Sequence, residues 1–509
     1  MSKTMTNLLR LTSALCSAIP TLFLTGCLVG PKYHVPPATA QAPPAVYKES
    51  PTQFQDADGW KVAQPQDAML RGKWWEIYND PELNALEDQL NINNQTIKQY
   101  FENFMEARTL IAEARSQLYP TLTTAPSYSR SRSSSNLGTS TVANAGRESS
   151  VGTLGLDASW EPDLWGKVRN TIHEQQYNAQ LSAADLENER LTEQATLALT
   201  FFEVRGQDAL RKVLDDTVVA DTKAMERTQS SYETGVADKI SVVEAQNTLQ
   251  NAQATATNLG IARAQYEHAI AVLIGANASS FSIPVKPVTA TPPPIPIGLP
   301  SQLLERRPDI AAAERSMAAA NAQIGIADAA FYPALTLSAE GGFESSTFKH
   351  LFDWPSRFWS IGPTINETIY DAGLRRATVN QYIFTYNADV ASYRQTVLTA
   401  FQQVEDYLAQ VRILSQQIKQ QQEAEQSAEL FVKLETARYE TGIDPYIDVV
   451  TAQTTLLSDQ QTLTSIRIQQ MTASVQLIEA LGGGWDRSQL PTPAQVSKKL
   501  TKDETQIQR

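Results

Sequence analysis

The sequence has almost no cysteine, few histidines and no excess of positive charge. Its 509 residues include 2 Cys and 4 His, and the formal net charge is −13. This acidic balance argues against nucleic-acid binding. The histidines are too scattered for the spacing of a metal site (His34, His173, His268 and His350). Beyond the N-terminus no stretch of about 20 apolar residues occurs, which a membrane-spanning helix needs. No metal or other cofactor is predicted.

The first 27 residues, MSKTMTNLLRLTSALCSAIPTLFLTGC, have the order of a bacterial export signal. Their last four residues, LTGC, resemble a lipobox, in which the cysteine becomes the lipidated N-terminus of the mature chain. The alternative is an ordinary signal peptide with an incidental cysteine. We predict that residues 1–26 are removed and that Cys27 is acylated. Because Cys16 leaves with the signal, no pair remains for a disulfide. Leu28, in place of Asp, favours delivery to the outer membrane by analogy with bacterial lipoproteins.

Most of the chain is an internal duplication. The segment SYETGVADKISVVEAQ (231–246) returns as RYETGIDPYIDVVTAQ (438–453), 207 positions later. The same offset relates several glycines (Gly155 with Gly362, Gly166 with Gly373, and Gly275 with Gly482). Identity at a fixed offset indicates two structurally similar halves.

Composition divides the chain around these two copies. After the signal we expect a lipid-anchored N-terminal arm, a first repeat, a Pro-rich linker (PVKPVTATPPPIPIGLP), a second repeat and a flexible polar tail. The predicted bounds are 27–75 for the arm, 76–283 for the first repeat, 284–300 for the linker, 301–485 for the second repeat and 486–509 for the tail. Each repeat is expected to contain one β-hairpin, at 121–161 and 334–367.

The hairpin segments alternate apolar and polar residues with a period of two. One apolar and one polar face over about 10 residues is what a strand between lipid and water requires. On alternation alone, a hairpin of a soluble sandwich is the more common alternative. We predict strands near 121–131, 151–161, 334–344 and 357–367.

Two long runs without proline predict the helices. Residues 167–234 and 374–441 are 68 residues each, which corresponds to helices of roughly 100 Å. Helices at 82–118 and 238–274 would be roughly half as long. Along the second long run, apolar residues recur in alternating steps of four and three, which predicts a left-handed coiled coil (Val379, Ile383, Tyr386, Val390, Tyr393, Val397, Ala400, Val404, Tyr407, Val411 and Leu414).

Four strands are too few to enclose a membrane barrel, whose minimum is about 8 strands. Since open strand edges are not tolerated in lipid, several chains must contribute to one barrel. Three chains would give twelve strands above a helical tunnel, although periodicity does not choose three over two or four. The predicted fold class is mainly α with a small transmembrane β part.

The sequence resembles a known family, the TolC-like outer-membrane efflux ducts, and within it the OprM-type lipoproteins. The resemblance extends from Cys27 to Trp485. The segments that carry it are CLVGPKY, WWEIYNDPELNALEDQLNINN, LPSQLLERRPDIAAAERSMAAANAQIGIADAAFYPALTL, GPTINETIYDAGLRRATV, RYETGIDPYIDVVTAQTTLL and ALGGGW. It implies a homotrimer with a twelve-stranded outer-membrane barrel and a periplasmic tunnel. The implied partners are a periplasmic adaptor and an inner-membrane transporter of the resistance-nodulation-division type, which together expel small molecules.

The resemblance also implies a periplasmic gate at the two YETG turns. Gly235 and Gly442 would form the turns, and the second tip would supply the gate residues (Arg438, Tyr439, Asp444, Ile447 and Asp448). Two positions depart from relatives: one tip position that is acidic in other members is Thr451 here, and an arginine of some ducts is Asp444. An arginine latch at that position is therefore not expected.

No catalytic constellation is present, and we predict that the protein is not an enzyme. The glycines of LGGGW lack the following Lys-Ser/Thr of a phosphate-binding loop. Two alternatives to drug or solvent efflux remain at this stage. One is the exit duct of a protein-secretion system, and the other is a structural lipoprotein of the envelope.

Overall fold

A computed structural model describes residues 27–39, 43, 46–49, 72–134, 148–287, 291–295 and 303–501. The predicted signal at 1–26, parts of the arm and of the Pro-rich linker, most of the loop after residue 132 and the end of the tail lie outside these residues. Two long helical hairpins and one sheet dominate the described structure. In its described part, no helix combines the length and apolarity that crossing a membrane requires.

The helices repeat in the same order in both copies. The first copy contains α1 (Pro81–Asn93), α2 (Gln95–Ser116), α3 (Lys167–Glu233) and α4 (Lys239–Leu273). The second contains α5 (Pro308–Ala329), α6 (Leu374–Glu440) and α7 (Tyr446–Ala480). A short helix at Leu303–Arg306 begins the second copy, and another at Pro493–Val496 follows it. The two long helices, α3 and α6, have 67 residues each, and each pairs with the shorter helix that follows it.

The expectation of one continuous helix over 82–118 was wrong, because the helix is interrupted at Asn94. This residue ends α1 and caps α2, where its Oδ1 accepts from Ile97 N at 2.9 Å. Its Nδ2 donates to the carbonyl of Leu273 at 2.9 Å. Asn94 is only 3% exposed, so the break also ties the end of α4 to the junction between α1 and α2.

The sheet lies at the end of the long helices opposite the YETG turns. Its strands are β1 (Thr121–Thr124), β2 (Ser127–Arg132), β3 (Glu148–Trp160), β4 (Ala334–Ser345) and β5 (Arg357–Asn366), all antiparallel. The first predicted strand is split at Pro126, which has no N–H to donate to the ladder. Since β1 and β2 both pair with β3, the sheet is four strands wide. The pairing of β3 with β4 joins the two hairpins.

The segments LERRPD and LGGGW meet where α5, α6 and α7 come together. In LERRPD, Pro308 is the first residue of α5, and Arg307 precedes it. Arg307 is 9% exposed. Its guanidinium donates to the carbonyl of Ala480, the last residue of α7, and to Gln403 Oε1, both at 2.9 Å. In LGGGW, Gly482 has φ 94° and lies against the backbone of Arg306, an approach that only glycine permits.

The main core lies between the first-copy helices and α7. Its largest buried side chains include Trp74 and Phe201, both fully buried. Trp74 Nε1 donates to Gln194 of α3 at 3.3 Å. The aromatic cluster of Trp74, Trp75 and Tyr78 therefore packs against the helices.

Candidate functional site at the helical tips

The two YETG turns have the same backbone conformation. Gly235 and Gly442 have φ of 76° and 74°. In the first turn, Val236 N donates to the carbonyl of Ser231 at 2.8 Å. In the second, Ile443 N donates to the carbonyl of Arg438 at 2.9 Å. This six-residue closure around a left-handed glycine is a Schellman motif, which reverses the chain after each long helix.

The first tip is capped by an acidic side chain. Asp238 Oδ1 accepts from Ser241 N and Ser241 Oγ, both at 2.8 Å. The hydrogen bond from the Ser241 backbone N–H lowers the pKa of the Asp238 carboxyl, because it stabilises the charged form. The first tip is therefore closed by a conventional N-cap.

The second tip replaces that cap with an ion pair. The residue before α7 is Pro445, which has no capping side chain. Arg438 Nε instead donates to Asp444 Oδ2, and its second guanidinium nitrogen donates to Asp444 Oδ1 at 3.0 Å. The hydrogen bond from Arg438 lowers the pKa of the Asp444 carboxyl. The pair spans the turn at the solvent surface, where such contacts orient side chains but contribute little stability.

Carboxylates gather beside this ion pair. Oxygen atoms of Glu435, Asp444 and Asp448 lie within 4.8 Å of one another. Carboxylates are ligands that calcium and magnesium prefer, but the Arg438 guanidinium already binds Asp444. Ile447 lies next in the chain to Asp448 and is 46% exposed. The second tip thus presents an apolar side chain beside a locally acidic surface.

Tyr439 joins the tip to the helices behind it. Its ring packs edge-on against Tyr446, with 5.1 Å between ring centroids and 63° between planes. Tyr446 is 4% exposed and lies in a small core with Ala245 and Val449. Burial, together with the charge of Asp221, raises the pKa of Tyr446 to about 12. This core contacts all four tip helices.

Sequence reasoning missed Tyr446 and Asp221. Their signal lies in differences between the copies: at the 207 offset, Tyr446 corresponds to Lys239, and Asp221 to Ala428. An aromatic residue and an acid that break the repeat indicate a contact made in one half only.

Cys27 lies far from the tips, where the sheet joins the helices. Its carbonyl accepts from Arg169 at 2.9 Å, and Arg169 Nε is held by Asp163 Oδ2 at 2.9 Å. Val29 N donates to the carbonyl of Trp165 at 3.1 Å. The structure therefore brings the predicted tip residues together and places Cys27 at the opposite end of the long helices.

Comparison with known proteins defines the class. The family model of the outer membrane efflux protein matches residues 86–276 and 299–483. The chain is 32% identical over 479 residues to the toluene efflux pump outer membrane protein TtgC of Pseudomonas putida, covering 93% of this chain and 96% of that protein. It is 30% identical over 474 residues to the outer membrane protein OprJ of Pseudomonas aeruginosa, covering 91% of this chain and 94% of that protein.

Solved structures of outer-membrane channels have the same fold as this chain. The outer-membrane channel OprN matches with a TM-score of 0.80 and 25% identity, over 90% of this chain and 100% of that one. The open state of the MtrE outer membrane channel of Neisseria gonorrhoeae matches with a TM-score of 0.76 and 25% identity, over 91% and 99%. The fold is TolC-like, as predicted.

The chain belongs to the outer membrane efflux protein family. It is an efflux channel of the outer membrane that extends into the periplasm, and the prediction of this function is confirmed. These matches are to efflux proteins, and they do not support the alternative of a purely structural envelope lipoprotein.

Proposed function

We propose that the chain is the passive exit duct of a tripartite pump for small toxic compounds. A periplasmic adaptor and an inner-membrane transporter of the resistance-nodulation-division type would supply the energy and select the cargo. The observation that carries the proposal is nearly full-length similarity to proteins described as toluene, solvent and antibiotic efflux pump components. These relatives are transport channels, and we assign no catalytic activity to the chain.

We further propose that three chains form the duct, and unequal packing of the two copies supports this arrangement. Helix α5 packs between α3 and α6. Its first-copy counterpart α2 packs along α3, and within the described residues it has no comparable contact with α6. Likewise α7 packs on α3 as well as on α6, whereas α4 packs mainly on α3. Helix α6 therefore lacks the neighbours that α2 and α4 of another chain would supply.

One pair of positions locates this missing contact. Inside the chain, Gly206 of α3 lies directly against Ile468 of α7, which is 6% exposed. Shifted by 207 residues, the same contact would join Ile413 of α6 to Ile261 of α4. Both are exposed in the single chain, at 51% and 60%, and a second copy would bury them together. Such burial of apolar surface favours association.

The sheet supports the same arrangement. Its outer strands are β1 and β2 at one edge and β5 at the other, and neither edge has a partner among the described strands. Unpaired edges are templates for another chain. Three four-stranded sheets joined edge to edge would satisfy them around a threefold axis.

We propose that Cys27 carries the lipid anchor, including a palmitate chain. Cys27 is exposed and follows the predicted signal. Two residues later, the backbone of Val29 is hydrogen-bonded to Trp165, whose ring stacks on Tyr332 at 4.8 Å between centroids. Trp and Tyr are enriched at membrane–water interfaces. Acyl chains on one terminus give stable anchoring, since each buried CH₂ contributes about 0.8 kcal/mol.

The Cys27→Ala variant is expected to lose all incorporation of labelled palmitate and to remain as the unprocessed precursor. The measurement is metabolic labelling followed by immunoprecipitation and mass determination of the N-terminus. The matched control is Cys16→Ala, which changes the chain's other cysteine and should leave labelling intact. Labelling that persists in Cys27→Ala would contradict the anchor.

The duct itself is tested in a host that lacks its own efflux duct. Expression of this chain together with its adaptor and transporter is expected to lower accumulation of a fluorescent efflux dye several-fold. The chain without those two partners should leave accumulation unchanged, because the duct has no energy source. Unchanged accumulation with all three components, combined with export of a protein substrate, would favour the secretion-duct alternative.

A further inference from the structure

Asp221 of α3 is a buried acid that has no counter-ion among the residues the structure describes. It is 3% exposed, and none of those residues gives its Oδ2 a hydrogen-bond partner. Burial raises the pKa of its carboxyl to about 6, because a carboxylate removed from water is costly unless it is paired. A buried, unpaired acid within a long helix calls for a physical explanation.

Its surroundings belong to the second tip. The negative charge of Asp221 acts on Tyr446, whose hydroxyl also interacts with Thr228 of α3. The ring of Tyr446 packs against the ring of Tyr439, which precedes the second turn. Asp221 therefore lies in the seam between α3 and α7, at the level where the second tip rests on the first copy.

The other titratable groups around this seam do not neutralise Asp221. Glu244 of α4 and Tyr439 of α6 both act on Tyr446, and each adds negative charge when ionised. Arg227 of α3 does not pair with Asp221. Its side chain is 72% exposed, and one of its terminal guanidinium nitrogens lies 3.8 Å from Glu440 Oε1 of α6. Loss of hydration is the cause of the raised pKa of Asp221.

We propose that Asp221 is a proton-controlled latch that holds the second tip against α3 when protonated and loosens it when ionised. This inference rests on the proposed duct, whose tips would open. A neutral Asp221 packs in the seam without the cost of burying a charge. An ionised Asp221 gains hydration when the seam between α3 and α7 opens, so ionisation favours the released tip.

The direction with pH follows from the raised pKa. The packed seam binds the proton more tightly than a released, hydrated Asp221 with a pKa near the ordinary 3.8. The stabilisation is therefore fully present below pH 3.8 and is lost as the pH rises through about 6. A shift of roughly two units corresponds to a change of up to about a hundredfold in the ratio of released to packed tips.

The repeat shows that this device is specific to one seam. Ala428, the counterpart of Asp221 in α6, is also buried, at 5% exposure. The counterpart of Tyr446 is Lys239 of α4. The proposed contact between chains would therefore pair α6 and α4 without an acid, and the proton would act only within each chain.

Hydrogen–deuterium exchange of amides at 443–453 tests the latch on the assembled full-length protein. Wild type and Asp221→Asn are compared at the same pH, so that intrinsic exchange rates cancel. At pH 7.5 the variant is expected to exchange roughly tenfold to a hundredfold more slowly than wild type, since Asn mimics the protonated acid. At pH 4 the difference between the two should shrink to less than about threefold, because Asp221 in the packed seam is then almost fully protonated.

The matched control is Asp216→Asn, which removes the same charge from an exposed position of the same helix. It should exchange like wild type at both pH values. Equal exchange of Asp221→Asn and wild type at pH 7.5 would overturn the latch, as would slowing of equal size in Asp216→Asn. Bilayer conductance is measured in parallel. Slower exchange with unchanged conductance would support the latch, but it would contradict the prediction that the second tip gates the duct.

Discussion

Replacing Ile413 with aspartate is expected to abolish assembly of the duct while leaving the fold of the single chain intact. Ile413 is 51% exposed in the chain, so a carboxylate there is hydrated before assembly. In the proposed trimer the same position faces Ile261 of a neighbour, and the charge would be buried three times. An unpaired buried charge costs several kcal/mol, which is enough to outweigh a contact of this size.

The measurement is the size of the detergent-extracted protein, with circular dichroism to verify helix content. The control is Val219→Asp, because Val219 is 54% exposed in α3 and its counterpart in α6 is the exposed Gln426. This variant should assemble normally. A direct test adds cysteines at 261 and 413, whose oxidation should give covalent trimers. If Ile413→Asp assembled and no cross-link formed, the contact inferred from the repeat would be wrong.

Combining Arg438→Ala with Tyr439→Phe is expected to raise the resting conductance of the duct several-fold. Arg438 holds Asp444 across the second turn, and its loss leaves the carboxylates of Glu435, Asp444 and Asp448 without the cation among them. Like charges at this spacing repel one another. Around a threefold axis the repulsion would push the second tips apart, and Ile447 would no longer form an apolar constriction that resists wetting.

Planar-bilayer recording measures both conductance and ion preference. Asp448→Ala should lower the preference for cations, because it removes a carboxylate from the mouth. Both effects should weaken in 1 M salt, where charges are screened within about 3 Å. The matched control is Ser231→Ala, the first-tip counterpart of Arg438, which should conduct like wild type. Unchanged conductance and selectivity in the second-tip variants would place the gate elsewhere.

Local patterns predicted the elements well where they are long or repeated. Absence of proline predicted 167–234 as one helix, and the structure has Lys167–Glu233. The repeated YETG segments predicted two similar turns, since a left-handed position after a helix selects glycine. The break at Asn94 was missed because asparagine interrupts a helix only when its side chain finds another partner. That partner is the carbonyl of Leu273, which is 179 residues away.

The candidate site was predicted only in part. Arg438, Tyr439 and Asp444 are close in sequence, so their meeting at one turn follows from the helix hairpin itself. The second-copy residue Tyr446 reads as an ordinary helical position, and only the approach of α3 buries it with Asp221. Rotation of each helix about its axis decides which side chains face inward, and no local pattern encodes that rotation for two helices from different repeats.

The sequence by itself determined the duplication, the long helices, the alternating strands and the resemblance to efflux ducts, because these depend on periodicity and short motifs. Tertiary structure alone decided that Arg307 ties α5 to the end of α7, that Asp221 is buried with no counter-ion among the described residues, and that Ile413 is left uncovered. These features arise from contacts between segments distant in the chain. Their energies depend on burial and on the distance between atoms, which exist only once the helices have packed.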